Sequence, residues 1–307
     1  DAVAIRPEKV QSLPDVKLGV SPMTKPVDPT IEVDLSDEKD VQWDFKKNMN
    51  YGDYLGLDLI LDAQKRRSNH HDEMLFIIIH QVSELWIKLV LHELEGAIAS
   101  IQNDDLEPCF KMLARISKVQ NQLKQAWDVL ATMTPADYIA FRDSLGHASG
   151  FQSHQYRVLE YLFGNKNAKM AQVHKHDPVV YKRVNDALNQ PSLYDETLKL
   201  LHRRGFDVPQ AKIDRDWSQP YSADAQVEAV WATIYRDTKT HWDLYELAEK
   251  LVDVEDNFQQ WRFRHMTTVK RVIGFRKGTG GTSGVSYLSK ALSLQFFPEL
   301  WSVRTTI

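Results

Sequence analysis

Residues 72–101 read DEMLFIIIHQVSELWIKLVLHELEGAIASI, and the fold class is decided there. The stretch has no proline and no glycine before Gly96, and Phe76, His80, Ser83, Trp86 and Val90 recur at steps of three and four, the period of one helical face. One long helix is predicted. Because it is apolar on more than one face, it is expected to be a central, buried one. Working outward, the same period predicts helices over 108–133, 135–145, 149–163, 178–188, 193–204 and 223–273, with a short one near 286–293 and a tail after it. Pro135 suits a first helical turn, and the 223–273 stretch is too long for one straight rod and is expected to break. Alternating strands, Asn-Gly turns and repeats of fixed period are absent, so residues 46–307 are read as a single-domain, all-α helical bundle. Residues 1–45, with scattered prolines and charges, are read as an extended or partly disordered arm.

The chain has 307 residues, 43% hydrophobic and 26% charged, with a formal net charge of -4. Acids and bases are mixed along it, which leaves no broad basic surface for nucleic-acid phosphates. The lone Cys109 excludes an internal disulfide framework and any thiolate metal cage. No apolar run is read as a membrane span and no secretory signal is read at the N-terminus, so a cytoplasmic location is the expectation.

Three groups of residues could carry chemistry. The segment Gly278-Thr279-Gly280-Gly281-Thr282-Ser283-Gly284 follows a helix rather than a strand and lacks the Gly-Lys-Ser/Thr ending of a phosphate-binding loop. It is either a surface connection or a loop whose bare backbone approaches a ligand. Among eleven histidines, His70, His71, His174 and His176 are read as solvated. His92 begins a zinc-protease-like pattern that fails at Gly96. His80 sits inside the most apolar run, where an imidazole needs a partner or loses about 1–3 kcal/mol. His265 lies four residues after Trp261 and shares its face. A metal here would need isolated histidines from different helices, as haem does. Arg142 lies four residues after Tyr138, so the two either form an intrahelical pair or clamp a carboxylate.

Taken together, "MNYGDYLGLDLILDAQ" from Met49, "DEMLFIIIHQVSELWIKLVLHELEGAI", "FRDSLGHASGFQSHQYRVLEYLFGNKN", "FRHMTTVKRVIGFRKGTGGTSGVSYL" and "FFPELWSVRTT" resemble the tryptophan 2,3-dioxygenase family over nearly everything beyond the arm. The resemblance implies an all-α fold, haem b (iron protoporphyrin IX, ferrous when active), a homotetramer, and cleavage of the indole C2–C3 bond of L-tryptophan by O2 to give N-formylkynurenine. It implies that His265 is the axial ligand of the haem iron and that His80 faces the indole N–H as the catalytic histidine. Phe76 is implied to pack on the indole, Arg142 and Tyr138 to hold the substrate carboxylate, and Thr279 to meet the ammonium and carboxylate groups. Ser149 and Gly150 are implied to line the distal pocket, and Tyr51, Tyr54 and Leu55 to serve a neighbouring subunit's site. His147, Ala148 and His154 depart from the family's usual Gly-Pro-Ser-Ser-Gly run and leucine, which bears on substrate preference. Two other readings stand beside this one: a paralogous haem oxygenase acting on a modified indole in secondary metabolism, and a non-catalytic haem-based sensor.

Overall fold

A computed structural model describes residues 41–307 of the chain. The expected arm lies outside the described residues except for 41–45, which form no regular element. Among the described residues there are thirteen α-helices: α1 Tyr51–Leu55, α2 Leu57–Leu61, α3 Glu73–Gln102, α4 Leu106–Leu130, α5 Pro135–Arg142, α6 His154–Phe163, α7 Pro178–Asn189, α8 Leu193–Arg203, α9 Gln210–Ile213, α10 Ala225–Arg236, α11 Trp242–Ile273, α12 Val285–Ala291 and α13 Pro298–Ser302. No strand occurs among these residues, so the fold is all-α. The chain divides into two compact units, one ending at Ile60 and the other spanning Leu61–Ile307. The second unit holds every helix longer than five residues.

Helix starts are set by side chains that accept the free N–H groups of a first turn. Thr134 and Asp137 form a capping box at α5, and Ser192 with Asp195 does the same at α8. The 223–273 stretch does break: the segment 237–241 separates α10 from α11.

Three long helices position the site. α3 turns into α4 through residues 103–105, where Asp104 adopts a left-handed φ of 59° and its carboxylate receives Arg204. So short a turn makes α3 and α4 antiparallel neighbours. α4 then runs parallel to α11, because contacts advance in step along both: Gln120 Nε2 to the Val254 carbonyl at 3.1 Å, Lys124 Nζ to Asn257 and Gln260, Arg264 to Asp128, and Arg271 Nε to the Ala131 carbonyl at 3.0 Å. That register brings Trp127 of α4 to Trp261 and His265 of α11.

α3 is central over only half its length. Ile87, Val90, Leu91, Leu94, Ala97 and Ile101 are buried, whereas Ile78, Val82 and Leu85 are 40%, 36% and 50% exposed. Its mean hydropathy of 1.7 over 18 residues is enough, by length and composition, for a membrane span, which corrects the expectation that no segment is so apolar. The helix nevertheless packs against α4, α6 and α8.

Two further expectations are corrected. The region after α12 is not a loose tail: Phe296, Phe297, Leu300 and Val303 are buried, and the Glu255 carboxylate of α11 accepts the backbone N–H groups of Phe296 and Phe297 and the Trp301 indole N–H. Burial raises the Glu255 carboxyl above its usual range, although these bonds oppose the shift. His174, expected to be solvated, is 2% exposed, because the 3-10 segment Ala168–His174 folds onto α6 and α7. Burial, and then the Arg157, His154 and His176 charges, hold its imidazole below the ordinary histidine range, so it stays neutral.

A buried ionic cluster ties α6 to α11. The Glu160 carboxylate meets Arg157, Arg262 at 3.2 Å, the Tyr156 hydroxyl at 3.0 Å and the Asn165 amide at 3.2 Å. Arg262 also donates to the carbonyls of Ala291, the last residue of α12, and of Leu294 after it, each at 3.3 Å. Removing Glu160 would leave two buried cations, a change of the kind that costs about 3–5 kcal/mol.

Candidate active site

The first half of the site is a wall of aromatic rings on α3, α4, α5 and α11. Phe76 lies 4.2 Å from His80 between ring centroids, 5.5 Å from Phe141 and 6.0 Å from Tyr138. Trp127 stands edge-on to His80 at 6.5 Å and stacks on His265 at 4.4 Å with a 6° interplanar angle. Trp261 flanks both Trp127, at 5.9 Å, and His265, at 5.5 Å. The two imidazoles that the sequence singles out, 185 positions apart, therefore flank one indole. The four-residue steps from Phe76 to His80 and from Trp261 to His265 place each pair on one helical side.

The imidazoles differ in their free atoms. His80 Nδ1 lies 2.7 Å from the Phe76 carbonyl. A carbonyl only accepts, so Nδ1 carries the proton and the neutral ring offers Nε2 as an acceptor. Burial holds His80 below the usual histidine range, with the Phe76 bond and Glu84 opposing. His265 makes no hydrogen bond among the described residues, and burial, followed by the His80 charge, pushes its pKa down to about 4. It is thus a neutral ring with an uncommitted nitrogen lone pair, the state a metal requires of an imidazole ligand. The donor chemistry of this ring is that of a residue that could hold haem iron.

The second half is polar and built from loops. Arg142, in the last turn of α5, donates to the Lys277 carbonyl at 3.0 Å. It also lies beside the Tyr138 hydroxyl, whose pKa burial raises while Arg142 pulls it back. Arg142 is half-buried and Tyr138 is buried. Arg142 joins α5 to the glycine segment. Thr279 donates its hydroxyl to the Ala148 carbonyl, and Phe151 meets Tyr287 of α12 edge-on at 5.9 Å. Ser149 caps the 3-10 turn Gly150–Gln152, so Ser149, Gly150, Thr279 and Arg142 belong to one end of the structure. Tyr51, Tyr54 and Leu55 are on α1 of the first unit, 75%, 76% and 38% exposed.

The departures from the family pattern fall at the polar end. His147 is exposed and its carbonyl accepts from Gln152 Nε2 at 3.2 Å. Ala148 serves Thr279 through its backbone, which any residue would supply. His154 is half-buried at the start of α6.

Sequence reasoning misses Trp127. Its position on α4 has the same period as the surrounding core residues, and only the α4–α11 register reveals that it stacks on His265. Its indole N–H is buried without a partner among the described residues. Phe141, against Phe76 and Tyr138, escapes for the same reason.

Comparison with known proteins identifies the family. The family model for tryptophan 2,3-dioxygenase matches residues 36–233 and 228–307. Curated relatives named tryptophan 2,3-dioxygenase include one from Bacillus thuringiensis strain Al Hakam, 58% identical over 270 residues, 88% of this chain and 97% of the relative. Another, from Burkholderia pseudomallei strain 668, is 59% identical over 266 residues, 87% of each chain. A third, from Exiguobacterium sibiricum, is 57% identical over 270 residues, with 88% and 97% covered. With the family model covering the described residues and relatives 57–59% identical over most of the chain, it belongs to the tryptophan 2,3-dioxygenase family.

Proposed function

We propose that this chain is an enzyme that opens the indole ring of L-tryptophan with O2, forming N-formylkynurenine with both oxygen atoms retained in the product. The observation that carries the reading is His265: neutral, stacked on Trp127 with Trp261 tilted beside it, and free of hydrogen bonds among the described residues. It would hold the iron of haem b, and ferrous haem, when bound, supplies the centre at which O2 is activated for addition across C2 and C3 of the indole.

The chain's own contribution is positioning. His80 Nε2, left as an acceptor by the bond from Nδ1 to the Phe76 carbonyl, receives the indole N–H. With its pKa lowered by burial, it orients the ring without acting as a strong base. Phe76 packs on the indole face. Arg142 and Tyr138 take the carboxylate, a charge-assisted contact of about 1.5–3 kcal/mol. Thr279, with its hydroxyl proton committed to Ala148, presents lone pairs to the ammonium group. Ser149 and Gly150 close the distal side.

The active form is read as a cytoplasmic homotetramer. The exposed apolar face of α3 at Ile78, Val82 and Leu85 suits burial against another copy, and exposed Tyr51, Tyr54 and Leu55 would complete a neighbouring copy's site. The test is anaerobic reduction of the haem-loaded protein, addition of L-tryptophan and then O2, with spectra recorded throughout. Growth of formylkynurenine absorbance is expected. A bound haem without product would favour a sensor, and product only from a modified indole would favour a secondary-metabolic oxygenase.

A further inference from the structure

The glycine segment touches the 148–151 turn at a second point besides the Thr279 bond. A Cβ built on Gly280 would lie 2.7 Å from Ser149 Cβ and 3.0 Å from Ser149 Oγ, well inside the roughly 3.5–4.0 Å at which carbon atoms rest. No left-handed backbone is involved, since Gly280 is absent from the positive-φ glycines. The requirement for glycine at 280 is therefore one of space alone. Gly281 is the opposite case, with a φ of 84° and nothing near its missing Cβ.

Neither side of the contact can easily give way. Ser149 is the N-cap of its turn: Oγ accepts the Phe151 N–H at 3.3 Å, its own N–H donates to Gln152 Oε1 at 3.3 Å, and Gln152 Nε2 donates to the His147 carbonyl. Across the contact, the Gly278 N–H donates to the Thr282 carbonyl at 3.1 Å and the Gly281 N–H to the Gly278 carbonyl at 3.0 Å. Arg142 holds the Lys277 carbonyl, and a Cβ on Gly284 would meet the Arg276 carbonyl at 2.8 Å. The segment is thus folded on itself by bonds of its own, apart from its contacts with the turn.

We propose that Gly280 is a positioning residue: its bare Cα against Ser149 lets residues 277–284 dock on the 148–151 turn, and this docking sets the Thr279 hydroxyl and the Lys277-bound Arg142 at the amino-acid end of the substrate. Docking itself is independent of the proposed function. What it positions rests on that reading.

The test compares the parent enzyme, G280A, S149G and the double variant S149G/G280A as haem-loaded full-length proteins. Deuterium uptake over residues 277–284 is read without substrate, and kcat and KM for L-tryptophan are read separately. G280A is expected to speed exchange of this segment and raise KM about tenfold, one decade of affinity, with kcat changed less. The double variant should return both quantities to the S149G values, because removing the Ser149 Cβ makes room for the new methyl. Unchanged exchange in G280A would overturn the proposal, as would loosening that S149G does not reverse, or loosening and rescue with KM unmoved. Failure of the tryptophan reading would look different: no turnover in the parent, with the exchange pattern intact.

Discussion

The aromatic wall and the polar rim of the site hold their side chains by different means. In the wall, Phe76, His80, Trp127, Trp261 and His265 project from three long helices, and their positions follow from helix register and ring packing. In the rim, Arg142, Ser149, Gly280 and Thr279 come from a helix end and two loops joined by a few hydrogen bonds and one close backbone approach. Packed helices resist displacement because every neighbour must move too, whereas a loop held by individual bonds has a local equilibrium between docked and undocked states. The wall suits holding a large rigid group, and the rim suits admitting and gripping a small substrate.

This difference can be broken from either side. The largest effect is expected from His265→Ala, which removes the one uncommitted imidazole of the wall. The haem-to-protein ratio from the Soret band should collapse and turnover vanish, while far-UV circular dichroism stays that of a helical protein. Next comes Trp127→Ala. Trp127 is 8% exposed, and truncation of such a ring costs about 3–5 kcal/mol, read as a lowered urea midpoint. Trp127→Phe should cost less.

In the rim, Arg142→Ala should raise the tryptophan KM by roughly one to two orders of magnitude, from the loss of a contact of about 1.5–3 kcal/mol, with haem content unchanged. Equal haem loss in the His265 and Arg142 variants would erase the division of labour between wall and rim. The smallest effect concerns the start of α5, which carries both Tyr138 and Arg142. Thr134→Ala removes an N-cap and should destabilise by about 1 kcal/mol. Bonds from the Thr134 side chain and backbone hold the Asp137 carboxyl below the usual carboxylate range. A carboxyl depressed in the folded state contributes stability above its unfolded value, about pH 4, and loses it as pH falls through the lower folded value. The gap between parent and Thr134→Ala should therefore be full at neutral pH and narrow in acid to the part supplied by the Asp137 N–H bond to Thr134 Oγ, as thermal midpoints across that range would show.

Much of this molecule is legible in particular residues. The 3.6 period from Phe76 to Val90 gives α3, Pro135 after Thr134 gives the start of α5, and the excess length of 223–273 foretells the break before α11. His80 stands out because a polar ring in an apolar run needs a reason, and His265 because it shares a helical face with Trp261. Trp127 does not, since an apolar ring on an apolar face needs none. The burial of His174 is invisible because a polar neighbourhood in sequence says nothing about which segment folds over it. The FFPELW stretch reads as a tail although Glu255, forty-one residues before Phe296, anchors it.

The sequence by itself determined the local events: where helices start and stop, which side chains share a helical face, and that the His80 imidazole sits in an apolar run, because these depend on residues within a turn or two of each other. Only the tertiary structure decided that Trp127 stacks on His265, that one face of the first half of α3 is left exposed among the described residues, and that Gly280 must yield space to Ser149. Those facts depend on the register between α4 and α11 and on loops meeting across 131 positions, and such contacts are fixed by the packing of the whole unit rather than by any local pattern.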